Sequence, residues 1–183
     1  MIVVTGATGA YGTAAVLLAL AMGAGRVVAA GRNAASLDAI AAIGGSRVVP
    51  VRLGGDAAAD AACIRAAAGG PCDLAFDMVG QAADANATLA ALNSLRRGGR
   101  LVLMGSMTTP LPLSYSDVMR NNWEIIGQFM YQAGAYRQLI GLLRTGRLDI
   151  APIRPRGFPL AALPEAMEAA AASSSLECIV VQP

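Results

Sequence analysis

Residues 1–12 read MIVVTGATGAYG, and the fold class follows from how that stretch is taken. A run of apolar, mostly β-branched residues (Ile2, Val3, Val4) halts at Gly6. Glycines return at Gly9 and Gly12, and an apolar helical stretch, TAAVLLALAMG, follows. This is the pattern of a buried strand, a tight glycine turn and a helix that starts at the turn. Backbone N–H groups and the positive end of the helix dipole then face the turn, which suits an anion such as a dinucleotide pyrophosphate. Glycine lets the backbone approach the phosphates and lets the helix sit close to the strand. The strict G-x-G-x-x-G spacing is not met, because Ala7 stands where its first glycine would be and Gly6 comes one residue earlier. Taken alone, the stretch also fits an ordinary β–α connection, so the remainder of the chain has to decide.

Downstream the alternation repeats. Residues 26–30 (RVVAA) predict a second buried strand, ended by Gly31, Arg32 and Asn33. A short helix over 36–43 stops at Gly44 and Gly45. Residues 47–53 (RVVPVRL) predict a third strand, which Pro50 confines to an edge or a bulge. Asp56 can cap an alanine-rich helix running to about Ala68. Residues 73–79 (DLAFDMV) predict a fourth strand closed by Gly80, 84–95 a helix, and 100–104 (RLVLM) a fifth strand ending in Gly105 and Ser106. TTPLPLSY predicts a loop, 123–130 (WEIIGQFM) a sixth strand and 135–144 a helix. An extended segment over 153–158, a helix over 164–172 and a strand over 177–181 complete the chain. Strands and helices recurring at roughly 20–25 residues are the signature of a doubly wound parallel sheet. Such sheets bind ligands at strand carboxyl ends, where Gly9, Gly31, Gly80, Gly105 and Gln128 all fall.

At 183 residues the chain suffices for one domain with a full core. With 55% hydrophobic and 14% charged residues and a net charge of +2, it is neither a disordered chain nor a nucleic-acid binder. Every basic residue is arginine; lysine and histidine are absent, which removes imidazole acid–base catalysis and lysine-dependent mechanisms. Cys63, Cys72 and Cys178 are widely spaced and read as small buried hydrophobes in a reducing compartment, not as a disulfide frame or a zinc site. Residues 1–25 carry no side-chain charge but lack a basic N-terminal region and are broken by glycine and threonine. They read as buried strand and helix, and the expectation is a cytoplasmic protein.

At the end of the second strand, Gly31 stands where a carboxylate would hydrogen-bond the adenosine 2′-hydroxyl of NAD, and Arg32 follows. Glycine leaves room there, and a guanidinium can clamp a 2′-phosphate with charge-assisted bonds. The alternative is that Arg32 is a solvated loop charge. Asp77, inside an apolar strand, is either a catalytic carboxylate or a holder of backbone amides near the cofactor loop, and the second fits better. Tyr11, Tyr115, Tyr131 and Tyr136 are candidate proton donors, none with a lysine to lower its pKa.

The blocks VVTGATGAYG, VVAAGRN, DLAFDMVG, GGRLVLMGS, WEIIGQFMY and FPLAALPEAMEAA together resemble the cofactor-binding half of medium-chain, zinc-type alcohol dehydrogenases and quinone reductases. The resemblance covers essentially the whole chain. It implies one NAD(P)(H)-binding Rossmann domain over 1–183 with sheet order 3-2-1-4-5-6. Thr8, Gly9, Ala10 and Tyr11 would lie at the pyrophosphate, and Gly31, Arg32 and Asn33 at the adenosine ribose. Val79 and Gly80 would border the adenosine side; Gly105, Ser106, Gln128, Phe129 and Met130 would border the nicotinamide. In the family a barrel-like domain supplies zinc ligands, proton relay and much of the substrate pocket. Met1 opens directly on the first strand, so that domain is expected to be absent, with 151–183 forming a tail that would otherwise pack partly on it. The expectation is thus an NADP(H)-preferring domain of an oxidoreductase acting on an alcohol, aldehyde or quinone, without zinc of its own. The alternatives are a free-standing dinucleotide-binding module without turnover, or an NADP-binding protein like the atypical short-chain dehydrogenases, which TGATGAYG and GRN also resemble. A homodimer through 123–130 is expected from the family, with the tail's Phe158, Leu160, Leu163, Ile179 and Val181 left exposed.

Overall fold

The computed structural model describes residues 1–173 and 176–183. Its main sheet is parallel, six-stranded and ordered β3-β2-β1-β4-β5-β6, as the family resemblance implies. The strands are β1 (Ile2–Thr5), β2 (Val27–Gly31), β3 (Val48–Arg52), β4 (Cys72–Asp77), β5 (Leu95–Leu103) and β6 (Glu124–Gly127). Helices α1 (Ala10–Ala21), α2 (Ala34–Gly44), α3 (Ala57–Ala68), α4 (Asn86–Asn93), α5 (Tyr115–Asn121) and α6 (Ala135–Arg144) connect or follow them. β7 (Arg154–Pro159) and β8 (Glu177–Gln182) form a separate parallel pair, with α7 (Leu163–Ala172) packed on both.

Side chains that alternate along a strand divide between two apolar layers. Val3, Val28, Ala30, Ala75 and Leu101 meet Ile64 of α3 and Ala90 and Ala91 of α4 on one face. Val4, Val27 and Ala29 meet Val16 of α1 and Leu37 and Ile40 of α2 on the other. Because both faces are covered, β1 and β2 read as unbroken apolar runs. Pro50 lies in β3, the edge strand, where a missing N–H costs no central pairing. β6 forms the opposite edge, with Arg100 and Glu124 in register and their side chains 2.6 Å apart.

Several sequence expectations are corrected. The loop predicted over TTPLPLSY gives way to α5 from Tyr115, capped by Ser114, whose side chain accepts from the Asp117 N–H. The sixth strand spans four residues, ending before Gln128, where the chain turns with Met130 at φ +59. β5 begins earlier than expected, at Leu95, but its regular pairing with β4 starts at Arg100. Of the three cysteines only Cys72 is buried; Cys63 lies on the outer face of α3 and Cys178 on β8, both exposed. In the tail Leu160, Leu163 and Val181 are exposed as expected, while Phe158 and Ile179 are half-buried.

Candidate dinucleotide site

The glycine turn after β1 is held by steric necessity. Gly6 has φ +69, and a Cβ there would come within 2.8 Å of the Met78 carbonyl group. A Cβ on Gly12 would stand 2.1 Å from the Gly6 oxygen, so α1 can lie against the turn only with glycine at that position. The Ala7 N–H donates to the Ala30 oxygen, tying the turn to β2, and the Thr13 hydroxyl donates to the Ala7 oxygen. Gly9 is the cap residue of α1 and offers no side chain. The first-turn N–H groups of Ala10, Tyr11 and Gly12 therefore have no side-chain acceptor among the described residues, the arrangement that suits an anion.

Beside this turn a cleft of about 390 Å³ opens at the carboxyl ends of β1 to β4. It brings together Thr8, Gly9, Gly31, Arg32, Val79 and Gly80 of the expected site. Arg32 is exposed and makes no hydrogen bond or ion pair with any described residue. Asn33 serves α2 instead: its side-chain oxygen accepts from the Ser36 N–H at 3.0 Å. Gly105 lies against β4, where a Cβ would meet the Val79 oxygen at 2.1 Å, so its glycine is required by packing. Ala10, Ser106, Gln128, Phe129 and Met130 do not line this cleft. The Gln128 side-chain amide instead donates to the Met130 oxygen at 3.0 Å, and Phe129 is bare to solvent. Tyr11 faces a second, apolar groove between α1 and α6, which also includes Tyr131 and Tyr136.

Sequence reasoning missed the wall contributed by β3 and α3. Leu53, Gly54 and Gly55 line the cleft, and buried Asp60 holds both glycines, accepting from the Gly54 N–H at 2.7 Å and the Gly55 N–H at 2.9 Å. The signal was the Gly54-Gly55 pair after the third strand, the same punctuation that marked the other turns.

Asp77 sits behind the cleft, 2% exposed. Thr5 is its register partner across β1 and β4, and its hydroxyl donates to Oδ1 at 2.6 Å. Thr88 of α4 donates to Oδ2 at 3.0 Å and the Val79 N–H to Oδ1 at 3.3 Å. Burial pushes the Asp77 carboxyl above its ordinary value, against the lowering pull of those three donors. The group therefore ties β1, β4 and α4 together under the cleft and does not open into it. Among the described residues, no three His, Cys, Asp or Glu side chains gather where they could hold a metal ion, and no helix is long and apolar enough to cross a membrane.

Comparison with known proteins agrees with this geometry. The family described as zinc-binding dehydrogenase matches residues 10–145. A putative D-xylulose reductase of Agrobacterium fabrum is 30% identical over 184 residues, 98% of this chain and 50% of that protein. The chain spans about half the length of the curated relatives it matches. A mycobacterial protein solved with NADPH has a TM-score of 0.76 at 20% identity, over 100% of this chain and 56% of that one. A protein of E. coli CFT073 described as a short chain alcohol dehydrogenase and solved with NADH also has a TM-score of 0.76, at 18% identity, over 98% of this chain and 51% of that one. One fold carries either dinucleotide in these two neighbours, so the choice between them has to come from side chains.

Proposed function

From the membership of this chain in the zinc-binding dehydrogenase family, whose cofactor-binding half it resembles throughout, we propose that it is the NADP(H)-binding part of an oxidoreductase. The reaction is hydride transfer between the nicotinamide and an alcohol, aldehyde or quinone; the alcohol class includes polyols of the kind the A. fabrum relative's name implies. Bound cofactor supplies the hydride. The chain's own residues hold and orient it: the open N–H groups at the start of α1 take the pyrophosphate, and the Gly31–Arg32 corner takes the adenosine ribose.

The observation that carries the NADP(H) preference is Arg32. Its guanidinium stands at the cleft without a partner among the described residues, next to Gly31, where an NAD-binding fold would present a carboxylate. One charge-assisted hydrogen bond contributes about 1.5–3 kcal/mol, so Arg32→Ala should weaken NADPH binding about tenfold or more and leave NADH nearly unchanged. Calorimetry with both dinucleotides tests this, and equal affinities in the unaltered chain would refute the preference.

A zinc ion does not fit the residues described here, since histidine is absent and the cysteines lie apart on α3, β4 and β8. No step is assigned to one. The same observation favours a second reading, a dinucleotide-binding module without turnover of its own. NADPH oxidation by the isolated chain with aldehyde, ketose and quinone acceptors separates the two. The short-chain alternative is weaker, because its tyrosine–lysine pair has no counterpart in a chain lacking lysine. Pairing of two chains along β6 and a reducing, cytoplasmic setting belong to the same proposal.

A further inference from the structure

Position 31 is less open than its lack of a side chain implies. A Cβ built on Gly31 would lie 2.8 Å from the Thr8 Cγ2 and 3.2 Å from the Thr8 Oγ1. Both branches of Thr8 thus face the end of β2 and occupy the space where a side chain at 31 would start. Rotating Thr8 relieves the contact only in part. Three staggered rotamers distribute one methyl, one hydroxyl and one hydrogen over two facing positions, so at least one heavy atom always remains. Thr8 also belongs to the turn that α1 and β2 clamp through Gly12 and the Ala7 N–H, so the backbone beneath it has little freedom to retreat. Leu37 Cδ2, at 3.6 Å, closes the other side.

We propose that Thr8 is a specificity-determining residue for the adenosine ribose. It fills the place from which a ribose-binding carboxylate would project, and with Arg32 it forms the seat of a 2′-phosphate. Its hydroxyl supplies a neutral hydrogen-bond donor at the same corner as the guanidinium, a pairing that favours a phosphate over a bare hydroxyl. The consequence is that residues 8 and 31 are coupled. An NAD-type acid at 31 runs into Thr8 and fits only if that side chain shifts. This inference rests on the NADP(H) reading for the identity of the phosphate, whereas the coupling itself rests only on the Thr8–Gly31 contact.

The test is a set of chains carrying Thr8→Ala, Thr8→Ser, Gly31→Asp and Thr8→Ala with Gly31→Asp, each titrated with NADH and NADPH by nicotinamide fluorescence and melted by circular dichroism. Gly31→Asp alone should weaken both dinucleotides at least tenfold and lower the melting temperature. Adding Thr8→Ala should restore NADH binding to within about threefold of the unaltered chain and lower the NADPH-to-NADH preference at least tenfold. Thr8→Ser, which keeps the hydroxyl, should retain more NADPH affinity than Thr8→Ala. If Gly31→Asp fails to fold, the Thr8→Ala background must restore folding for the same reason. Gly31→Asp that by itself binds NADH well, or a double variant no better than Gly31→Asp, overturns the coupling. An unaltered chain that binds both dinucleotides equally overturns the NADP(H) reading instead, and the rescue of Gly31→Asp by Thr8→Ala remains a separate result.

Discussion

Replacing Asp77 with alanine strips one acceptor group from three donors at once. The Thr5 and Thr88 hydroxyls are both fully buried, and the Val79 N–H borders the cleft. Each buried donor left unpaired costs about 1–3 kcal/mol, so a loss of roughly 3–6 kcal/mol is expected, a large part of a typical domain's stability. For a chain of this size that is a fall in melting temperature of about 6–24 °C. Asparagine should behave differently. Its oxygen can keep the Thr5 and Val79 donors, and its amide can donate to the Thr88 hydroxyl, which is free to accept. Asp77→Asn should therefore stay within about 1–2 kcal/mol of the unaltered chain. The two differ in pH dependence as well. Burial raises the folded-state pKa of Asp77 above its ordinary 3.8, so the folded chain holds that proton more tightly than the unfolded one. The stability contributed by this group is full below pH 3.8 and is lost as pH rises from there through the raised folded value. Urea unfolding at about pH 4 and pH 7.5 should show Asp77→Asn gaining relative to the unaltered chain at the higher pH. An alanine variant that melts normally would refute the buried network. An asparagine variant that folds and binds cofactor normally but abolishes turnover would make Asp77 catalytic.

Two further substitutions test packing and assembly. Gly105→Ala should destabilise by about 3 kcal/mol, because its Cβ meets a backbone carbonyl at 2.1 Å; Gly25→Ala, whose Cβ meets nothing within 4 Å, is the control, and equal melting of the two would refute the argument. Ile126→Lys, placed on the edge strand β6, should yield monomers by light scattering on a sizing column. A folded variant that stays dimeric would move the contact elsewhere, with the exposed Leu160 and Leu163 of the tail as the next place to look.

The sheet was legible because its physics is local. Unbroken apolar runs ending in glycine mark strands buried on both faces, and Pro50 confined β3 to an edge or a bulge, of which the edge is what the sheet shows. What the sequence concealed lies where local signals compete or where contacts are distant. α5 was hidden behind the loop character of Pro110 and Pro112, although Ser114 and Asp117 carry a helix-start pattern. The cleft's turns after β1, β2 and β4 were readable, yet the Asp60 grip on Gly54 and Gly55 after β3 was not, because an aspartate in a helical first turn looks like an ordinary dipole partner. In the sequence Gly31 is only a position without a side chain. That it faces Thr8 across 23 residues of sequence is a fact about the turn's shape, which no spacing rule contains.

The order of strands also bears on how the chain reaches its fold during synthesis. β1 comes first among the strands but sits in the middle of the sheet, between β2 and β4. Its second neighbour, pairing Ile2 with Leu74, follows about 70 residues later. At ribosomal rates of about 5–20 residues per second, one side of a strand that is apolar but for Thr5 waits several seconds for cover. The nascent chain in that interval presents an open parallel edge with little charge on it, a surface prone to capture by other nascent chains. Expression at reduced temperature or with a holding chaperone should therefore raise soluble yield more than any substitution on the finished surface.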